Sequence, residues 1–147
     1  MIDNHSIYTF GAFRLNYLPK NQHIMSLSDA RNLNPVVLAY IGDAVYTLYV
    51  RAKLVDTTDY KAHVLHQKCS SIVCATSQAV VVDSIIDRLT EEEADVYRRA
   101  RNSHVHTSAK NATLGDYMKA TGLEAVVGYL YLTGREDRLR ELIGDLI

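Results

Sequence analysis

Tryptophan is absent, cysteine occurs only twice in 147 residues, and the charges nearly cancel to a formal net of −1. Two cysteines are too few for a disulfide scaffold. No basic segment followed by a long apolar stretch opens the chain, so the thiols are expected to be reduced, in a cytoplasm. No apolar run approaches the ~18 residues needed to span a bilayer, and no membrane partner is expected. A net charge of −1 excludes a polycation, so any nucleic-acid binding must use a local basic patch. Neither an internal repeat nor a low-complexity tract is present. What remains is an ordinary globular composition, 48% apolar and 22% charged, on a chain long enough for one domain with a proper core.

The first thirty residues lack a sustained period and mix aromatic, Asn and Gly residues. They read as an extension or a poorly packed arm over 1–32, with the domain proper over 33–147. Met25 opens "MSLSDARNLNP" and is a candidate alternative start; finding residues 1–24 attached to the native protein by mass spectrometry rejects that idea. From Asn34 onward the pattern is helical nearly throughout, and the fold class is all-α. Asn34 caps and Pro35 opens a first helix to about Leu54, with Val37, Ile41, Ala44, Val45, Leu48 and Ala52 at helical spacing. Asp59 is a candidate cap for a helix through Cys69. Ser70 or Ser71 starts another through "SSIVCATSQAVVVDSIIDRL". Thr90 and Glu93 form a capping box before "EEEADVYRRARN", with acids at the positive helix end and arginines at the negative end. After the polar loop "SHVHTSAKNA", Thr113 and Asp116 open a helix to about Leu132, and a last helix covers 135–147.

Two acids interrupt apolar helices. Asp43 lies inside "NPVVLAYIGDAVYTLYVR" with Ala39, Tyr40, Tyr46 and Thr47 one turn away. Glu124 lies inside "ATGLEAVVGYLYL" with Ala120, Thr121, Val127 and Gly128 one turn away. Neither has a cation beside it on its own helix. Each helix also carries an interior glycine, Gly42 and Gly128, costing ~1 kcal/mol against alanine. Such glycines belong where two backbones touch, which predicts that the helices cross there and that Asp43 faces Glu124. Two carboxylates in an apolar setting must share a proton or a cation. Mg²⁺ fits, because it takes one or two protein carboxylates and fills its octahedron with water or phosphate oxygens. The alternative is that each acid only accepts hydrogen bonds from Thr or Tyr hydroxyls.

"YIGDAVY" followed some eighty residues later by "LEAVVGYLYL" resembles the two signature helices of the ribonuclease III catalytic domain. "LNPVVLAYIGDAVYTLYVR", "LTEEEADVYRRARN", the "KN" at 110–111 and "EAVVGYLYL" occur in the order and spacing of the Mini-III subgroup, which lacks a double-stranded RNA-binding domain. The resemblance covers residues 33–147. It implies a ribonuclease III endonuclease-like helical bundle, dimeric, with catalytic sites along a shared groove for double-stranded RNA. Asp43 and Glu124 match the two catalytic, metal-binding acids, with Mg²⁺ as cofactor and cleavage of both strands leaving short 3′ overhangs. The implied role is maturation of the large-subunit (23S) ribosomal RNA precursor, helped by a ribosomal protein of that subunit. The sequence departs from full ribonuclease III at Ala39 and Thr121, where that enzyme carries further acids; Mini-III resembles this chain in lacking both. Thr47 and the loop before Lys110 depart from the Mini-III pattern too. They leave open an alternative, a ribonuclease III-like subunit that binds RNA or the ribosome without cutting.

Basic residues bracket the polar loop. Arg98, Arg101, Lys110 and Asn111 are the candidate RNA-binding residues, contacting phosphates of a duplex recognised by shape and backbone; the bland alternative for the arginines is a solvated helix end. His63, His66, Cys69 and Cys74 do not suit zinc. On one helix the first three fan over ~120° and the outermost two lie ~16 Å apart, whereas tetrahedral zinc needs converging ligands. Of the ten tyrosines, Tyr40, Tyr46, Tyr49, Tyr129 and Tyr131 lie on the acid-bearing helices, as core or as a dimer seam.

Overall fold

The computed structural model describes residues 17–103 and 112–147. Among these, every regular element is helical: α1 (Leu27–Asn32), α2 (Pro35–Thr57), α3 (Ala62–Val73), α4 (Ala75–Ile85) with a 3₁₀ turn over Ile86–Arg88, α5 (Glu91–Arg101), α6 (Leu114–Leu132) and α7 (Glu136–Ile143). The all-α expectation holds.

The bundle is organised around α6. Its residues from Ala120 to Leu130 are buried almost without interruption, and α2, α4 and α5 pack around it. A helix apolar on all sides must be covered on all sides, and "ATGLEAVVGYLYL" is such a helix. Leu38, Tyr46 and Val50 of α2, Val82 and Ile85 of α4, Val96 of α5 and Leu139 and Leu142 of α7 complete the core with Leu123, Val126, Tyr129 and Leu130.

Several helix ends follow the sequence signals. The Asn34 side chain accepts a hydrogen bond from Val36 N at 2.9 Å, with Pro35 in the first turn. Thr90 and Glu93 form the expected reciprocal capping box. Thr113 accepts from Asp116 N at 3.1 Å. Glu93 does more than cap. It is 1% exposed and accepts from Arg138 Nε at 2.8 Å, tying α5 to α7. Burial alone would push its carboxyl up, but the Arg138 guanidinium and the Thr90 N–H together hold it below the usual range. Arg138→Met, which strands this carboxylate, is expected to cost about 3–5 kcal/mol. Chemical denaturation reads this directly, and a loss below ~1 kcal/mol would show the pair to be dispensable.

Other helix ends differ from expectation. The second helix starts after Lys61 rather than at Asp59 and runs to Val73, and the break falls at Cys74, not at Ser70 or Ser71. Cys74 is extended (φ −67°, ψ 157°). The Ser77 hydroxyl donates to Ser71 O at 2.6 Å and takes over a carbonyl at the end of α3, the local competition by which a Ser side chain ends a helix. α7 stops at Ile143, short of the expected 147. The carbonyls of Gly144 and Ile147 instead accept from Lys53 Nζ.

Residues 17–32 do not form the poorly packed arm that the sequence predicts. Leu18 is buried in the core. The Tyr17 hydroxyl donates to Asp56 at 2.8 Å, and its ring meets Tyr49 edge-on with centroids 5.4 Å apart. Asn21 N donates to Glu136 at 2.9 Å, Asn21 Nδ2 to Tyr131 O at 3.1 Å, and Met25 N to Leu132 O at 2.8 Å. Backbone and amide groups, invisible to a hydrophobic pattern, fasten this segment to the end of α6. A chain beginning at Met25 is expected to lose roughly 5 kcal/mol, from about 1 kcal/mol for each of the three hydrogen bonds made by Tyr17 and Asn21 and about 2 kcal/mol for Leu18 burial. An unchanged melting temperature in the shortened chain would contradict this docking.

Candidate metal and active site

α2 and α6 touch backbone to backbone. A Cβ added to Gly42 would collide with the Glu124 carbonyl and lie 2.8 Å from Gly128 N. A Cβ added to Gly128 would collide with the Leu38 carbonyl and lie 3.0 Å from Gly42 N. The two glycines therefore fix the crossing. Because Asp43 follows Gly42 and Glu124 sits directly over it, the same contact brings the two acids together.

Their environments differ. Asp43 is exposed and stands at the rim, while Glu124 is partly buried. The sequence reading treats both as buried acids; for Asp43 the structure corrects this, since Gly42 occupies the crossing line and the next residue turns ~100° away from it. Glu124 carries the strain. Burial first, and the Asp43 charge second, raise its carboxyl from 4.5 to about 7, against a lowering pull from the Gln78 amide. Among the described residues neither acid forms an ion pair.

Two buried groups that the sequence reading does not single out as site residues stand behind Glu124. Gln78 of α4 is 1% exposed. Tyr46 of α2 is fully buried, and burial, then Glu124, then Cys74 push its phenol well above the ordinary range. One signal was available for Gln78: an amide at a position in register with Ala75, Val82 and Ile85, on the apolar side of its helix.

Among the described residues no three of His, Cys, Asp and Glu converge as a metal cluster. Cys69 is buried and Cys74 is exposed, its thiol held below the ordinary range chiefly by the Ser77 hydroxyl. Thr121, at the place of an acid in full ribonuclease III, turns its hydroxyl back to Tyr117 O at 3.1 Å, and Ala39 is buried. Among the described residues the candidate donors at the crossing are two carboxylates, with no soft ligand joining them. Such a pair suits Mg²⁺, which retains most of its waters.

The basic candidates are only partly in view. Arg98 is exposed but bonded to Asp95 at 2.6 Å. Arg101 is exposed and turned toward Asn102 Oδ1 at 3.3 Å. Lys110 and Asn111 lie outside the described residues. The tyrosines separate clearly: Tyr46, Tyr49 and Tyr129 are core, and Tyr40 is 82% exposed.

Residues 36–135 match the family described as the ribonuclease III domain. The chain belongs to that family. Among curated proteins it is 44% identical over 116 residues to Mini-ribonuclease 3 of Clostridium tetani, covering 78% of this chain and 77% of the relative. It is 44% identical over 119 residues to Mini-ribonuclease 3 of Enterococcus faecalis, covering 80% and 90%. These relatives place it in the Mini-ribonuclease 3 branch. A crystal structure of a Fusobacterium nucleatum protein superposes with a TM-score of 0.74 at 30% identity, covering 80% of this chain and 94% of that one. The ribonuclease III-like helical bundle expected from the motifs is therefore the observed fold. The crossing of α2 and α6, with its two acids, lies within the matched segment.

Proposed function

We propose that this Mini-ribonuclease 3 family member is a Mg²⁺-dependent endoribonuclease that cleaves double-stranded RNA, with Asp43 and Glu124 as its catalytic acids. The observation that carries the reading is the glycine-fixed crossing, which brings Asp43 and Glu124 within electrostatic reach of each other with no ion pair to either among the described residues. Asp43 and Glu124 would hold Mg²⁺, which when bound supplies Lewis acidity and an activated water for attack on a phosphodiester. The chain's residues do the rest. Glu124 gives up its proton as the cation is taken, Asp43 faces the solvent side from which the RNA backbone approaches, and the tight helix contact keeps both carboxylates from moving apart. Arg98, Arg101, Lys110 and Asn111 would bind phosphates of the duplex.

A homodimer is supported by the outer face of α2. Val37, Tyr40, Leu48 and Val55 follow helical spacing and are 49%, 82%, 43% and 65% exposed. An apolar stripe of this kind seeks a partner surface, and a second copy would seat there beside Asp43. Sedimentation of the wild type as a dimer, and of Tyr40→Glu as a monomer, is the expected result; a monomeric wild type would exclude the shared groove.

No single described helix is long and apolar enough to cross a membrane. We place the enzyme in the cytoplasm, acting on the large-subunit ribosomal RNA precursor with a ribosomal protein of that subunit as partner. The decisive test of activity is a long perfect RNA duplex incubated with Mg²⁺ or with EDTA. Mg²⁺-dependent cleavage is expected. Binding without cleavage, of this duplex and of a precursor RNA with its ribosomal protein, would favour the non-cutting subunit.

A further inference from the structure

Two donors are buried behind Glu124 without a well-formed hydrogen bond among the described residues. Gln78 Nε2 and the Tyr46 hydroxyl are both inaccessible and have no hydrogen-bond partner among the described residues. A buried donor left unmade costs about 1–3 kcal/mol, and here there are two, on different helices, at one place.

Their placement follows from the packing. Lys119 of α6 bonds Asp83 of α4 at 2.8 Å. Five residues back along α4 and five forward along α6 lead to Gln78 and Glu124, about 7.5 Å along each axis. The Gln78 amide acts on the Glu124 carboxyl, so the two helices run in opposite directions with these side chains level. Tyr46 comes from the other side, three residues after Asp43 on α2, and Glu124 acts on its phenol. Glu124 thus feels a buried amide from α4, and a buried hydroxyl from α2 feels Glu124 in turn, while Asp43 stands exposed at the rim.

We infer that Gln78 and Tyr46 are positioning residues, a buried donor pair that engages the inner side of the ionised Glu124 carboxylate and holds its other oxygen toward Asp43. The protonated acid has less need of them. A carboxylate that holds a cation at this depth needs donors to offset its burial, and these two are buried next to it with no other partner among the described residues. The role rests on the metal-site reading above, since it is the cation that calls for the ionised form. Outer partners that orient a metal's carboxylates typically account for 10–100-fold in metal affinity.

The test uses Gln78→Met, which keeps volume and removes the amide, and Tyr46→Phe, which removes only the hydroxyl. Two curves are read on the full chain: the rise in melting temperature with Mg²⁺ concentration, and the Mg²⁺ dependence of duplex cleavage. Each variant is expected to need about 10–100-fold more Mg²⁺ in both curves, with cleavage recovering at high Mg²⁺ and duplex binding unchanged. If Gln78→Met does not fold, Tyr46→Phe carries the test, since deleting an idle buried hydroxyl would leave the metal-free melting temperature equal or higher. Unchanged Mg²⁺ midpoints beside a Mg²⁺-responsive wild type would overturn the positioning role alone, leaving the two groups as structural sites for buried water. A wild type whose stability and cleavage ignore Mg²⁺ would overturn the metal site and this inference together.

Discussion

Asp43→Asn and Glu124→Gln are each expected to abolish cleavage of double-stranded RNA, by at least about a thousandfold, while the fold and duplex binding remain. A thousandfold loss corresponds to about 4 kcal/mol of transition-state stabilisation. It is expected to be this large because the described site contains only these two acids. Ala39 and Thr121 stand where the resemblance to full ribonuclease III would place further acids, so no other carboxylate at those positions can take over. Neither substitution should harm folding. Asp43 is exposed and makes no ion pair among the described residues, and replacing Glu124 by its neutral isostere removes a charge that burial and Asp43 already oppose. Single-turnover cleavage, with circular dichroism and a gel-shift of an uncut duplex as controls, reads all three properties. Cleavage retained in either variant would remove that residue from the site.

Gly42→Ala is expected to be the most damaging of the conservative substitutions. Its Cβ has no flexible side chain to push aside; it meets the Glu124 carbonyl and Gly128 N. Overpacking a core against side chains costs about 1–3 kcal/mol, and a backbone that cannot yield lifts the cost above that range. α2 and α6 must then separate, so the melting temperature is expected to fall by about 10 °C or more. Mg²⁺ should no longer stabilise whatever folded protein remains, because separating the helices also parts Asp43 from Glu124. An alanine variant with wild-type melting and Mg²⁺ response would show that the helices do not meet at the glycines.

That contact was legible in the sequence because it rests on local rules. A glycine inside a helix has a cost, and two such glycines, each near an acid without a cation, imply a shared crossing. Capping was equally legible at Asn34, Thr90 and Thr113, where one short side chain decides the start of a helix. Long-range polar contacts were not. The docking of residues 17–32 depends on Asn21 and backbone groups meeting the end of α6 more than a hundred residues later. The break at Cys74 depends on Ser77 reaching back to Ser71, which no apolar period records. The depth of each acid also escaped, since spacing places a residue on a helix face but not at the rim or the floor of a site. Gln78 and Tyr46 escaped as a pair for the same reason, because they converge on Glu124 from separate helices.

The raised Glu124 carboxyl ties the site to pH. Without metal, the folded chain holds this proton more tightly than the unfolded one, so this group's contribution to stability declines as pH rises from about 4.5 through about 7. Metal reverses the trend, because binding requires the ionised acid and releases the proton. The stabilisation given by a fixed Mg²⁺ concentration is therefore expected to grow from pH 6 to pH 8, with the Mg²⁺ midpoint falling about tenfold. In Glu124→Gln both trends should vanish, which thermal melts across that range would record.

Asp43 and Glu124 are expected to hold one divalent cation jointly. Binding of Mn²⁺, followed by its electron paramagnetic resonance signal in the wild type and in the Asp43→Asn and Glu124→Gln variants, tests this most directly. One site per chain in the wild type, lost or greatly weakened in each variant, is the predicted result. A wild-type site whose affinity survives either substitution would contradict the shared site.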